Sequence, residues 1–178
     1  MSVQDLKTMR AQRELQLKPL SREGIAAALD KAEHYRLLNQ PRLAESICLD
    51  ILAVDGDNPT ASVILLLALT DQFGKSSSKS SKQALLLAQG LQDEYSRKYY
   101  TGIVHERQAG NALSSGIPGA DFDAYEWYLE AMDCFEQAEA IHPPGNDDAV
   151  LRWNTCARTI AQYNLRERPL DDGEPLLE

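Results

Sequence analysis

Residues 25–56 have the sequence IAAALDKAEHYRLLNQPRLAESICLDILAVDG. Apolar side chains recur in it at steps of three and four residues in two runs, over 25–38 and 43–52. This spacing places each set on one face of an α-helix. Pro41 lies just before the second run, where its missing N–H costs nothing because first-turn N–H groups have no intrahelical acceptor. The stretch therefore predicts two antiparallel helices over 22–57.

The residues at the two ends of this helical pair agree with the prediction. Ser21 precedes the first helix, and a serine hydroxyl at that position accepts a hydrogen bond from an N–H of the first turn. Gly56 and Pro59 follow the second helix, and both residue types end helices and open turns. The helical hairpin is therefore bounded on both sides by residues that favour it.

The same helical periodicity returns along the rest of the chain. No segment alternates apolar and polar residues as a half-buried strand would, so we expect an all-α fold. A Ser/Lys-rich stretch at 74–82 and a Ser/Gly/Pro stretch at 114–120 are expected to be loops. Asn146 or Asp147 is expected to cap the last helix. Helices after the first pair are predicted over 61–69, 83–95, 97–113, 121–141 and 147–163.

The composition is that of a globular domain. Of the 178 residues, 43% are hydrophobic and 25% are charged, so the chain is long and apolar enough to bury a core. The net charge of -9 disfavours nucleic acid and anionic membranes as partners, because both attract clustered Lys and Arg. The acidity is concentrated, with 14 acidic and 4 basic residues over 111–178. That segment therefore favours a basic partner or keeps this end soluble.

Three cysteines, Cys48, Cys134 and Cys156, lie far apart in the sequence without a Cys-x-x-Cys pair. Cysteines of this kind are typical of reduced thiols, so we expect a cytoplasmic location. Residues 1–20 include basic side chains throughout and no continuous apolar core, which argues against a signal peptide. The most apolar run, over 61–69, has nine residues and is too short to cross a bilayer.

The helical pairs can be aligned with one another by the spacing of small and large residues. The aligned segments are Ala28-x2-Lys31-Ala32-x2-Tyr35 with Ala44-x3-Cys48-x2-Ile51, Ser62-x2-Leu65-Leu66-x2-Leu69 with Ala84-x3-Ala88-x2-Leu91, and Ala131-x3-Phe135-x2-Ala138. These segments resemble the tetratricopeptide repeat, a unit of 34 residues in which small residues at such places let two antiparallel helices approach closely.

The resemblance covers 22–163 and implies a right-handed superhelix of antiparallel helical hairpins, with an N-terminal helix before it and a C-terminal capping helix after it. In the third unit, the small residue of the first helix is either Gly102 or Gly110. A helical bundle of unrelated origin is the alternative. The implied parts are an N-terminal helix or arm (1–21), about three units (22–58, 59–96 and 97–146), the capping helix (147–163) and a flexible acidic tail (164–178).

Two short patterns are similar to catalytic motifs but lack an essential member. Gly74-Lys75-Ser76 matches the end of a phosphate-binding loop, yet Leu69 stands where the first glycine of that loop belongs. His105-Glu106 matches the start of a zinc-binding helix, yet Ala109 stands where the second histidine belongs. No catalytic pair is complete, so we expect a protein that is not an enzyme and that has no cofactor and no metal.

Stacked helical hairpins present an inner face that suits an extended peptide or a partner helix, so the resemblance implies a non-catalytic adaptor or scaffold that binds a protein or peptide. Aromatic and arginine side chains are common anchors at such interfaces. The candidate partner-binding residues are Tyr99, Tyr100, Arg107, Asn111, Arg152, Asn154 and Arg158. Alternatively, the arginines pair internally with Glu126, Glu130 or Asp133.

Other interpretations stay open at the level of sequence. The inner positions of the first unit hold Leu29 and Glu33. Those of the second unit, Val63, Ile64 and Leu67, are apolar and either form an open groove or are covered by other parts of the chain. A pocket between the third unit and the capping helix would instead suit a small ligand or an enzymatic function. A short stack with exposed ends is also suited to self-association as a homodimer.

Overall fold

A computed structural model describes residues 16–74 and 79–169. Within these ranges the chain forms helices and loops without a β-strand, so the predicted all-α class is confirmed. A 3-10 turn, Arg22–Gly24, leads into the first α-helix. The α-helices of the described residues are α1 (Ile25–Leu37), α2 (Pro41–Val54), α3 (Pro59–Thr70), α4 (Lys79–Gln89), α5 (Glu94–Ser114), α6 (Ala120–Glu139) and α7 (Asp148–Tyr163).

Each helix packs against the next one in the sequence, and the most extensive contact joins α5 to α6. Helix α1 also contacts α3, and α3 contacts α5, so alternate helices lie side by side. The fold is therefore held together by helix-to-helix packing along the chain. None of the helices in the described part of the chain is both long and apolar enough to span a membrane.

Polar side chains cap several helix N-termini. Ser21 Oγ accepts a hydrogen bond of 3.2 Å from the N–H three residues later, as predicted. Asn58 and Asp93 do the same for α3 and α5, at 2.9 and 2.7 Å. At α7, Asn146 Oδ1 accepts the N–H two residues later at 3.0 Å, whereas the Asp147 side chain makes no capping bond. These bonds satisfy N–H groups that have no acceptor within their helix.

Two helices begin three or more residues earlier than the sequence predicts. Helix α4 begins at Lys79 instead of residue 83, so the last part of the expected Ser/Lys-rich loop is helical. Helix α5 begins at Glu94 instead of residue 97, because Asp93 caps it. Polar residues are compatible with the first turn of a helix, where N–H groups point outward and need other acceptors. The sequence prediction placed these two helix starts too late because it did not extend the helices into hydrophilic residues.

The described residues bury two hydrophobic clusters that meet at α5. One cluster gathers residues of α1 to α5, and the other gathers residues of α5 to α7. The neighbouring residues Ile103 and Val104 belong to different clusters, because successive side chains of a helix point about 100° apart. Leu67 and Tyr100 pack against both clusters. The stack therefore has a continuous apolar interior.

Helices α5 and α6 come very close together at a glycine. A Cβ atom on Gly102 would lie 2.6 Å from Cε1 of Phe135, a distance too short for two carbon atoms. A Cβ atom on Gly110 would lie 3.8 Å from the Tyr128 hydroxyl, which is an ordinary contact. Of the two glycines considered for this place, Gly102 is therefore the one that the packing requires.

Residues 164–169 continue beyond α7 without forming a helix, but they are attached to the rest of the fold. Leu165 is buried in the cluster of α5 to α7. Arg168 donates a hydrogen bond of 2.5 Å to Asp123 Oδ1, and its guanidinium lies 5.3 Å from the ring centre of Phe122. The first part of the predicted tail is thus fixed to α6. The helix expected before residue 16 and the end of the tail lie outside the described residues.

Candidate functional site

Alternate helices of the stack line one groove, which has a volume of about 760 Å³ and is open to solvent. Helices α1, α3, α5 and α7 supply most of its residues, together with the loops that follow α1 and α3. Tyr128 of α6 also lines the groove, and its side chain is buried. The lining residues are Arg36, Leu37, Asn39, Thr70, Asp71, Phe73, Glu106, Arg107, Gly110, Asn111, Ser114, Tyr128, Arg152, Thr155 and Thr159.

Asp71, which directly follows α3, pairs with arginines from two other helices. Its Oδ2 accepts a hydrogen bond of 2.9 Å from Nε of Arg36 in α1. Its Oδ1 lies 3.5 Å from Nη1 of Arg107 in α5. One carboxylate therefore connects α1, the end of α3 and α5 along the groove.

Glu106 of α5 and Arg152 of α7 form a second ion pair, with Nη1 of the arginine 3.3 and 3.2 Å from the two carboxylate oxygens. Burial raises the pKa of Glu106, although Arg152 and Arg107 act in the opposite direction. Burial alone would lower the pKa of Arg152, but Glu106 and a hydrogen bond with Tyr99 outweigh burial and raise it. The pair is partly desolvated, so loss of either partner would leave a costly uncompensated charge.

Hydroxyl groups complete the polar lining beside this ion pair. Burial raises the pKa of Tyr128 to about 12, and Cys156 and Glu106 act in the same direction. A hydrogen bond with Thr159 opposes that increase in pKa. The hydroxyls of Thr155 and Thr159 each donate to the carbonyl oxygen four residues earlier at 2.9 Å. The lone pairs of the Thr155 hydroxyl are then available as acceptors on the groove side of α7, whereas Thr159 also bonds with Tyr128.

The groove brings together Arg107, Asn111 and Arg152, which belong to the predicted partner-binding residues. Arg107 and Asn111 lie one turn apart on α5, and Arg152 lies on α7. The side-chain oxygen of Asn111 packs directly against Gly74, where no Cβ atom would fit. All three residues are therefore fixed by contacts with other elements, because Arg107 contacts Asp71, Asn111 contacts Gly74 and Arg152 contacts Glu106.

Tyr99 and Tyr100 have a different place, since both are half-buried among other aromatic and apolar side chains. The Tyr99 ring stacks on Tyr95 with their centres 5.6 Å apart, and it lies 5.9 Å from the Phe135 ring. Tyr100 packs against both hydrophobic clusters. Neither lines the groove, but Tyr99 supports it through its hydrogen bond with Arg152.

Asn154 and Arg158 lie on α7 and do not line the groove. An α-helix turns about 100° per residue, so Thr155 and Thr159 share a face with Arg152. Asn154 and Arg158 fall outside that face, and Arg158 is exposed. These two candidates are therefore separated from the other polar residues of the capping helix.

Arg107 and Arg152 pair internally, but their partners are not the predicted ones. The acidic residues expected as partners, Glu126, Glu130 and Asp133, lie on an exposed face of α6. The actual partners are Asp71 and Glu106, which lie on the inner side of the stack. The partners differ from the predicted ones because α6 is oriented with its acidic face toward solvent.

Nine polar groove residues were missed at the sequence level, namely Arg36, Asn39, Thr70, Asp71, Glu106, Ser114, Tyr128, Thr155 and Thr159. For Arg36 a signal was present in the helical periodicity. The inner positions predicted for α1 end at Glu33, and the next turn of the same face holds Arg36. The groove lies nearer the C-terminal ends of α1 and α3 than the repeat alignment indicates.

The apolar residues predicted for the inner face of α3 are covered. Ile64 is buried, and Val63 and Leu67 are half-buried. Leu67 packs against both hydrophobic clusters. None of the three lines the groove, so its surface in this part is polar rather than an open apolar channel.

His105, the start of the incomplete zinc-binding pattern, is packed against α6. Its ring stacks on Trp127 with centres 5.4 Å apart, and Nδ1 lies 3.3 Å from Oε2 of Glu130. Burial lowers the pKa of His105, although Glu130 and a hydrogen bond with Gln108 act in the opposite direction. Among the described residues, no group of three His, Cys, Asp or Glu side chains could hold a metal ion.

Comparisons of the chain with protein-family models, with curated proteins and with solved structures find no match. The functional interpretation therefore depends on the groove and on the packing that forms it. Both are defined by contacts between helices that are distant in the sequence, such as α1 with the end of α3 and α5 with α7.

Proposed function

We propose that this chain is a tetratricopeptide-like, non-catalytic adaptor that binds a segment of another protein in the groove lined by α1, α3, α5 and α7. The groove itself carries the proposal. In a superhelix of helical hairpins, the first helix of each hairpin faces the inner surface, which is the surface that such proteins use for binding. The four lining helices here are the first helices of the three hairpins and the capping helix.

The packing of the hairpins supports the same class. Most residues of the aligned segments are buried, and most of the buried ones are small, whereas Lys31 is exposed and Ala28, Tyr35 and Ser62 are half-buried. Small buried residues at equivalent places allow equivalent close approaches in successive hairpins. The buried residues are Ala32, Ala44, Cys48, Ile51, Leu65, Leu66, Leu69, Ala84, Ala88, Leu91, Gly102, Ala131, Phe135 and Ala138.

The chemistry of the groove suits an extended peptide. Asn111 and Ser114 offer hydrogen-bonding groups for a peptide backbone, and Leu37 and Phe73 offer apolar contact nearby. A bound peptide presents both backbone polar groups and side chains, so a groove lined by polar and apolar residues is favourable for binding it. The groove is also open, whereas sites for small molecules enclose most of the ligand surface.

Selection of random peptides displayed on phage tests the proposal, with a variant that fills the groove. Thr155→Trp adds bulk at an exposed groove position whose hydroxyl bonds within its own helix. Ser46→Trp is the matched control, because Ser46 is exposed on α2 and does not line the groove. We expect selected peptides to bind the unmodified protein and Ser46→Trp equally in fluorescence anisotropy, and to bind Thr155→Trp about tenfold more weakly. Equal binding to both variants, or no enrichment of any peptide, contradicts the proposal.

A small anionic ligand is the second candidate, because titratable side chains converge on the groove. Glu106, Arg152 and Tyr128 lie together there, and burial raises the pKa of the carboxyl and of the phenol. Such a ligand would remain with the purified protein and appear as added mass in native mass spectrometry. The same spectra at increasing protein concentration test the predicted self-association, which would give dimer peaks.

A further inference from the structure

We propose that the segment bound in the groove is acidic, and that a carboxylate of that segment pairs with the groove arginines. This inference rests on the groove being the binding site, as proposed above. Two features of the groove support this inference. One is the net charge of the residues that line it, and the other is that its arginines are more exposed than its carboxylates.

The charged residues of the groove are three arginines and two carboxylates. Asp71 is shared by Arg36 and Arg107, and Glu106 pairs with Arg152. The lining therefore retains one positive charge in excess, within a protein whose net charge is -9. One further carboxylate would neutralise this excess, and a bound acidic side chain supplies it.

The arginines are more exposed than the carboxylates with which they pair. The Arg107 side chain is 39% exposed, and that of Asp71 is 18% exposed. The Arg152 side chain is 35% exposed, and that of Glu106 is 12% exposed. A guanidinium has five N–H donors, and the ion pairs of Arg107 and Arg152 with described residues each use Nη1. An incoming ligand therefore meets unused donors before it meets acceptors.

The same arrangement of charges would disfavour the binding of a basic segment. Its charge would approach partly exposed arginines, whereas Asp71 and Glu106 are already paired and largely covered. Like charges placed together across an interface are unfavourable and exclude wrong partners. The acidity of residues 111–178 predicts a basic partner or serves to keep this end soluble, whereas the charges that line the groove favour an acidic segment.

Charge changes at one exposed groove position test the inference. Thr155→Glu and Thr155→Lys alter the groove charge by one unit in opposite directions and replace no member of an ion pair. Ser46→Glu and Ser46→Lys make the same change of net charge outside the groove. The probe is a phage-displayed random peptide library in which acidic and basic residues are equally frequent. The peptides that it yields are then measured by fluorescence anisotropy.

We expect the selected peptides to be enriched in Asp and Glu. Thr155→Lys should bind them about two- to fivefold more tightly and Thr155→Glu more weakly by the same factor, with both Ser46 variants unchanged. Replacement of their Asp and Glu by Asn and Gln should abolish most of the binding. Selection of neutral or basic peptides by the groove overturns this inference and leaves the adaptor function standing. Failure to select any peptide overturns the adaptor function, and this inference with it.

Discussion

Gly102→Ala is the sharpest test of how α5 and α6 pack. The added Cβ would lie 2.6 Å from Cε1 and 2.8 Å from Cδ1 of Phe135, where ordinary contacts begin at about 3.4 Å. The Phe135 ring is fully buried, so it cannot turn into solvent to make room. The strain must therefore be taken up by the separation of the two helices.

The cost follows from two opposing effects. Overpacking a core by one methyl group costs about 1–3 kcal/mol of the free energy of unfolding. Alanine in a helix interior gains about 1 kcal/mol over glycine. Gly110→Ala in the same helix makes the same gain, but its Cβ meets only an ordinary contact of 3.8 Å with Tyr128. The difference in unfolding free energy between the two variants, about 1–3 kcal/mol, is therefore the cost of the clash.

Urea unfolding followed by circular dichroism measures both variants against the unmodified protein. Gly110→Ala should be more stable and Gly102→Ala less stable, each relative to that reference. In a Phe135→Leu background the ring is gone, so alanine at position 102 should no longer destabilise. Equal stability of Gly102→Ala and Gly110→Ala would refute the close approach of the two helices.

Three further predictions concern capping, pH and thiol reactivity. Asp93→Ala should lose about 1 kcal/mol of unfolding free energy and Asp93→Asn much less, because only the alanine variant lacks the capping acceptor; equal losses in urea unfolding would argue against the cap. Burial lowers the pKa of His105 below its usual 6.5, so the stability that the neutral ring provides is complete above that pH and lost as the pH falls through the lowered pKa. Thermal unfolding at pH 7 and pH 5 should therefore show a smaller pH effect for His105→Gln than for the unmodified protein, and identical effects would contradict this. Burial raises the pKa of Cys48 to about 11 and of Cys156 to about 12, so iodoacetamide should label both slowly at pH 8 and the half-buried Cys134 first. Peptide mapping that finds Cys48 modified as fast as in the unfolded chain would show the opposite.

The helices could be predicted because burial of one face imposes a spacing that is visible in the sequence. Ile51 and Phe135 are fully buried, and each belongs to such a periodic run. Helix ends were less accurate, since they depend on single capping bonds. Asp93 begins α5 through one hydrogen bond, although the apolar pattern that marks the helix starts later.

The groove was only partly predictable, because it depends on the relative rotation of helices. Arg107 and Arg152 were recognised as interface residue types, but their partners were not. Nothing local in the sequence places Asp71 beside Arg107, since the two belong to different hairpins. Arg158 does not line the groove because it lies on another face of α7 from Arg152, although the two are less than two turns apart.

The sharing of α5 between two clusters limits how this chain can change its length in evolution. Helical arrays commonly grow and shrink by duplication or deletion of whole modules, which is possible when the modules have interchangeable faces. Here α5 presents Val104 to a largely aliphatic cluster and Ile103 to one that includes Phe135 and Tyr128. A copied module inserted at this junction would bring mismatched surfaces together. We therefore expect helical pairs to be gained or lost more readily at the two ends of the chain than at α5.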